Sequence, residues 1–217
     1  MLVLASNSPR RKQLLALEGW VFTVLPAQID ETPRLAEGPG EYVLRLAESK
    51  ARAVASGLVG SPDTVVLAAD TTVVVGNEIL GKPADDAEAE AMLRRLRGRT
   101  HQVFTALALL RITDGLLLKD LCATGVCMRD YTDEDMLAYI ASGDPLDKAG
   151  AYAIQHPGFQ PVESLRGCYA NVMGLPLCRA IHLLKQLGLP PPLDLPYSCL
   201  HIQQENCSLP PDFGYSL

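Results

Sequence analysis

The chain has 217 residues, 48% of them hydrophobic and 20% charged, and a formal net charge of −6. That length supports one large domain or two small ones with a sizeable core, and the balance is that of an ordinary globular protein. The acidic excess, with a pI near 5.2, argues against broad nucleic-acid binding, which needs a basic surface to displace counterions. No apolar run approaches the ~18 residues of a membrane span.

In chain order, "LVLA" (2–5) predicts a short buried strand. In "LASNSPRRKQLL" (4–15), Ser8 reads as a helix N-cap, Pro9 as the first helical residue and Gly19 as the stop. Arg10, Arg11 and Lys12 then crowd a first turn that already carries partial positive charge. Either they form a solvated turn, or they hold an anion together with Ser6, Ser8 and the free backbone N–H groups. Asp30 and Glu31 follow a predicted strand and suit either a divalent cation or an ordinary acidic loop. A helix is expected from about Pro39 to Ser56, with Val43, Leu46, Ala47 and Val54 on one face and Lys50 within it.

"DTVVLAAD" (63–70) reads as a buried strand ending in Asp70. A carboxylate at such an end lies where open α/β sheets bind ligands, although a turn cap accounts for it equally well. A hairpin about Gly76-Asn77 follows. Next comes "GKP", in which Gly81 and Pro83 frame Lys82. Residues 85–98 predict a helix, 101–131 a long β-hairpin, and 132–143 a helix capped by Thr132. The small-residue loop "DKAGAYAIQ" (147–155) presents the Gln155 amide, which can read a base edge. A last helix runs from Pro176 to Gly188. Residues 1–189 form the domain and 190–217 a proline-rich tail. Strands and helices mix throughout, so the fold class is α/β with a mixed sheet.

Several chemistries are excluded. There is no GxxxxGK[ST] loop and no G-x-S-x-G elbow. A phospho-aspartate enzyme needs a second Asp two residues on, and Thr72 stands there. The six cysteines form no CxxC pair and read as reduced structural thiols. The opening "MLVLAS" lacks the charge and length of a signal peptide, so a cytoplasmic location is expected.

Six motifs in order, "LASNSPRR", "AADTTVV", "GKP", "HQVFT", "DKAGAYAIQ" and "NVMGLP" (171–176), resemble the Maf family of nucleoside triphosphate pyrophosphatases over about residues 2–188. The resemblance implies an elongated two-lobed α/β fold with a central cleft, related to the inosine triphosphate pyrophosphatases. It implies a hydrolase that cleaves between the α and β phosphates, releasing a monophosphate and pyrophosphate, with a divalent cation (Mg²⁺ or Mn²⁺). Asp70 matches the family's catalytic proton acceptor. Arg10 (or Arg11), Thr71 and Gln155 match positions tied to substrate choice, and Ser6, Glu31, Lys50 and Lys82 match polar positions lining the cleft. The expected metal ligands are Asp70 and Glu31. "SPRR", "ADT" and "AYxIQ" together resemble the branch acting on dTTP and UTP. The alternatives are a 7-methyl-GTP pyrophosphatase or a nucleotide-binding regulator of cell division. Members of the family are often homodimers. One departure is Cys168-Tyr169, where a turn containing Ser or Asp is usual.

Overall fold

A computed structural model of the chain describes residues 1–193 except Val59 and Pro62. The predicted tail lies outside the described residues from position 194 onward. Strand β1 (Leu2–Leu4) leads into helix α1 (Pro9–Ala16), whose N-cap is Ser8, its hydroxyl accepting from the Arg11 N–H. After β2 (Phe22–Val24) comes α2 (Pro39–Ser56), which begins on a proline and buries Val43, Leu46, Ala47, Ala51 and Val54. Those positions recur at helical spacing and form one stripe against the sheet.

Strands β3 (Val65–Val75) and β4 (Glu78–Leu80) make the expected hairpin, with Gly76 at φ +61°. Helix α3 (Asp86–Leu96) is capped by Asp85, and β5 (Thr100–Arg111) and β6 (Leu117–Met128) form the long antiparallel pair. Helix α4 (Asp133–Ala141) starts at Thr132, whose hydroxyl accepts from the Asp135 N–H. The "DKAGAYAIQ" region holds two 3₁₀ turns, Asp144–Asp147 and Ala149–Ala151. The strand expected before Asp30 is β2, while sequence periodicity missed β7 (Val162–Arg166) and α5 (Tyr169–Val172), which are too short to show a repeat. Helix α6 (Leu177–Gln186) closes the domain.

The strands form one mixed sheet in the order β2-β1-β3-β5-β6-β7, with β4 paired to β3. Strand β1 runs parallel to β2 and β3, and the remaining pairs are antiparallel. Three apolar clusters surround this sheet. Leu2, Leu4, Leu67, Leu107 and Leu109 pack one face with α1 and α6. Val3, Val66, Ala68, Ala106 and Ala108 pack the other face under α2. Val73, Val103, Val126 and Met128, at the far ends of the same long strands, pack with α3 and α4. Two lobes therefore share β3, β5 and β6. Each fully buried leucine contributes about 1.5–3 kcal/mol.

Asp70 is not at the end of a strand: β3 continues through Thr71, Thr72 and three valines to Val75. These β-branched residues favour extended backbone and stay paired with β5, Asp70 opposite Ala106 and Thr71 opposite Thr105. The polar stretch lies between the two lobes, in the middle of the strand.

His101 is buried in the second lobe, its Nε2 2.8 Å from the Tyr152 hydroxyl and its Nδ1 without a partner among the described residues. Burial lowers its pKa from 6.5 to about 4. Between those values the unfolded chain binds a proton that the folded chain refuses. Stability therefore falls as pH drops from 6.5 towards 4, by about 3 kcal/mol at most. Urea unfolding at pH 7 and pH 5 should show this slope, and His101→Gln should remove most of it.

Candidate active site

Side chains alternate along a strand, so neighbours in β3 serve opposite faces. Asp70 falls on the α2 side with Val66 and Ala68, and Thr71 on the α1 side with Leu67 and Ala69. On the α2 side, Lys50 Nζ donates to Asp70 Oδ1 at 2.6 Å and meets Glu31 Oε1 at 2.7 Å. Lys50 sits seven residues after Val43, on the sheet-facing stripe of α2. The Glu31 loop is tied to the same helix: Tyr42 donates to Glu31 O at 2.9 Å, and Arg45 to Thr32 O at 3.2 Å. Asp70 is only 6% exposed. Burial raises its pKa, while Lys50 and, more weakly, Arg11 oppose that rise.

On the other face, Arg11 is held by three protein acceptors. Its Nε donates to Gly174 O at 2.8 Å, Nη1 to Ser6 Oγ at 3.2 Å and Nη2 to Thr71 Oγ1 at 3.0 Å. Burial lowers its pKa, with the Asp70 charge acting against that effect. Gly174 has φ +103°, and a Cβ there would sit 3.3 Å from both Arg11 Nε and Thr71 Oγ1.

Between these elements lies a cleft of about 530 Å³. Ser6, Arg10, Arg11, Glu31, Lys50, Thr71, Lys82 and Gln155 all line it. Asp70 does not; its carboxylate lies behind Lys50. Among the described residues Arg10 has one ion pair, with Asp147 at 4.0 Å, and Lys82 is exposed with none. Gln155 is exposed on the opposite wall. The Lys148 ammonium, also on that wall, is bound to Asp144 Oδ1 at 3.0 Å and Asp147 Oδ1 at 2.5 Å.

Sequence reasoning assigned no role to Thr105, Asn171 or Gly174. Each sits in a quoted motif ("HQVFT", "NVMGLP"), but they act through pairings 34 to 163 residues apart in the chain.

Asp70 and Glu31 both reach one ammonium group, and both are hard oxygen donors. One or two carboxylates completed by substrate phosphates is the usual setting for Mg²⁺, so the donor set fits the expected divalent ion.

A cationic cleft at a helix N-terminus, with a buried carboxylate reached through one of its lysines, is that of a protein built to hold a polyanion and act on it. Comparison with known proteins narrows this class. The family model for Maf-like proteins matches residues 1–187, and the chain belongs to that family. It is 51% identical to a dTTP/UTP pyrophosphatase of Myxococcus xanthus, covering 88% of this chain and 95% of that one. It is 52% identical to a dTTP/UTP pyrophosphatase of Thermomicrobium roseum, covering 87% and 85% respectively. Among solved structures, a HAM1 protein from Coxiella burnetii is similar at a TM-score of 0.45 and 17% identity, covering 86% of this chain and 96% of that one.

Gly174→Ala tests the packing behind Arg11. The positive φ and the crowded Cβ should together lower unfolding stability by about 1–2 kcal/mol, and nucleotide affinity should fall with it. Calorimetry of both properties checks this.

Proposed function

We propose that the chain hydrolyses dTTP and UTP between the α and β phosphates, releasing the nucleoside monophosphate and pyrophosphate. The names of its relatives support the reaction. One observation supports the chemistry: Lys50, which lines the cleft, joins a buried Asp70 to Glu31, and the same cleft carries Arg10, Lys82 and the N-terminus of α1.

In this reading Arg10 and Lys82 take the polyphosphate, because their charges are the least engaged by the protein. Arg11 is committed to Gly174, Ser6 and Thr71, and shapes the wall. Gln155 faces the base from the opposite wall. A divalent ion held by Asp70, Glu31 and substrate phosphates would neutralise charge that builds on the leaving pyrophosphate. Asp70 accepts the proton of the attacking water. Lys50 engages Oδ1, and among the described residues Oδ2 carries no hydrogen bond. Positioning and electrostatics supply most of the acceleration, as is general for such transfers.

Pyrophosphate release from dTTP, UTP and 7-methyl-GTP with Mg²⁺ or Mn²⁺ tests this. Turnover of the first two, reduced about 10²–10⁴-fold in Asp70→Asn, supports it. Binding without turnover would point to a regulator instead, and preference for 7-methyl-GTP to another branch of the family.

The pH profile gives a second check. A base must be ionised, so kcat/KM rises with pH through the pKa of Asp70, which burial places above the ordinary 3.8. Removing the opposing ammonium in Lys50→Met should move that acid limb to still higher pH. A limb that stays in place would separate Lys50 from Asp70 in the working enzyme.

A further inference from the structure

Three side chains between the lobes share their protons in a fixed order. Arg11 Nη2 donates to Thr71 Oγ1 at 3.0 Å, and a guanidinium has no lone pair with which to accept. At the other end, Thr105 Oγ1 donates to the Asn171 carbonyl oxygen at 2.9 Å, and a carbonyl has no proton to give. The single Thr105 proton is thereby committed. Thr71 Oγ1 and Thr105 Oγ1 lie 2.9 Å apart, so the proton between them belongs to Thr71. The Thr71 hydroxyl has then turned its proton inward and one lone pair to Arg11. One lone pair remains for the cleft that Thr71 lines. Thr105 and Asn171 are both 0% exposed, so water does not compete to reverse the order.

We propose that Thr105 is a positioning residue that fixes Thr71 as a hydrogen-bond acceptor in the cleft, selecting the N3–H of a uracil or thymine base. This rests on the reading that the chain acts on dTTP and UTP. Ionised phosphate oxygens and the base carbonyls only accept, and would meet Thr71 lone pair against lone pair. The 3′-hydroxyl donates or accepts and is not selected by polarity. N3–H is the one donor on either base. Cytosine carries a lone pair at that ring position and is disfavoured. Arg11 keeps N–H groups that Gly174, Ser6 and Thr71 do not use. An acceptor beside a donor complements the adjoining N3–H and C=O of these two bases.

The test compares kcat/KM for UTP and CTP in the wild type, Thr105→Val and Thr105→Ser. In Thr105→Val the Thr71 proton is released and the hydroxyl can serve either polarity. The preference for UTP over CTP should fall about tenfold, the worth of one well-placed hydrogen bond, mainly through a lower KM for CTP. Thr105→Ser keeps the relay and should keep the preference. A folded, active Thr105→Val with the wild-type ratio overturns the proposal, as does a Thr105→Ser that loses as much as Thr105→Val. If Thr105→Val does not fold, a crystal structure of the wild type with α,β-imido-UTP decides. Thr71 Oγ1 within hydrogen-bond distance of N3 supports the proposal, and Thr71 against a phosphate or carbonyl oxygen overturns it. A wild type that cleaves neither UTP nor dTTP refutes the proposed activity, and the analogue complex still reads the polarity on its own.

Discussion

An ionisable carboxylate in the middle of a buried strand is tolerated only if a cation comes to it. Desolvation disfavours the charged form by several kcal/mol, and an opposite charge at hydrogen-bond distance offsets that cost. Much of the architecture follows from Asp70 being in that position. Helix α2 must lie across the sheet at the height that brings Lys50 to within 2.6 Å. The small residues Ala47 and Ala51 beside Lys50, and Ala68 and Ala106 beneath, permit that close approach. The Glu31 loop must fold back onto α2, which Tyr42 and Arg45 secure.

The opposite face obeys the same logic with the signs exchanged. Arg11 is a cation drawn out of water, and it is held by neutral acceptors rather than by a carboxylate at contact distance. Lys50 on the α2 side meets two carboxylates within 2.7 Å, whereas Arg11 meets hydroxyls and a carbonyl. That difference gives one face of β3 charge and the other directional hydrogen bonds. A nucleotide presents the same division, charge at one end and a patterned polar edge at the other.

The regular elements were readable because their signals are local. Ser8 and Pro9 announce α1, Pro39 opens α2, and Thr132 caps α4. The alternating apolar residues of β5 and β6 could satisfy only a two-sided sheet. Eight of the nine site residues expected from the motifs line the cleft, and Asp70 lies directly behind it. What could not be read depends on contacts between distant segments. A carboxylate is depleted in strands and reads as an end, so the five β-branched residues after Asp70 read as the first arm of the next hairpin and not as the same strand continued. Nothing near Thr105 or Asn171 says that they meet. The short β7 and α5 owe their form to neighbours they join and carry no period of their own.

The two lobes share β3, β5 and β6 without a break. A continuous hydrogen-bonded ladder resists bending in its own plane, so these strands act as beams built into both halves. No flexible linker joins the lobes at β3, β5 and β6, so a jaw-like hinge has no joint there. Adjustment to a ligand falls to the segments that cross its mouth: Asn7 to Pro9, the Glu31 loop and the turns around Lys148. The strands keep the spacing of Asp70, Thr71 and Thr105 while the loops around them adjust.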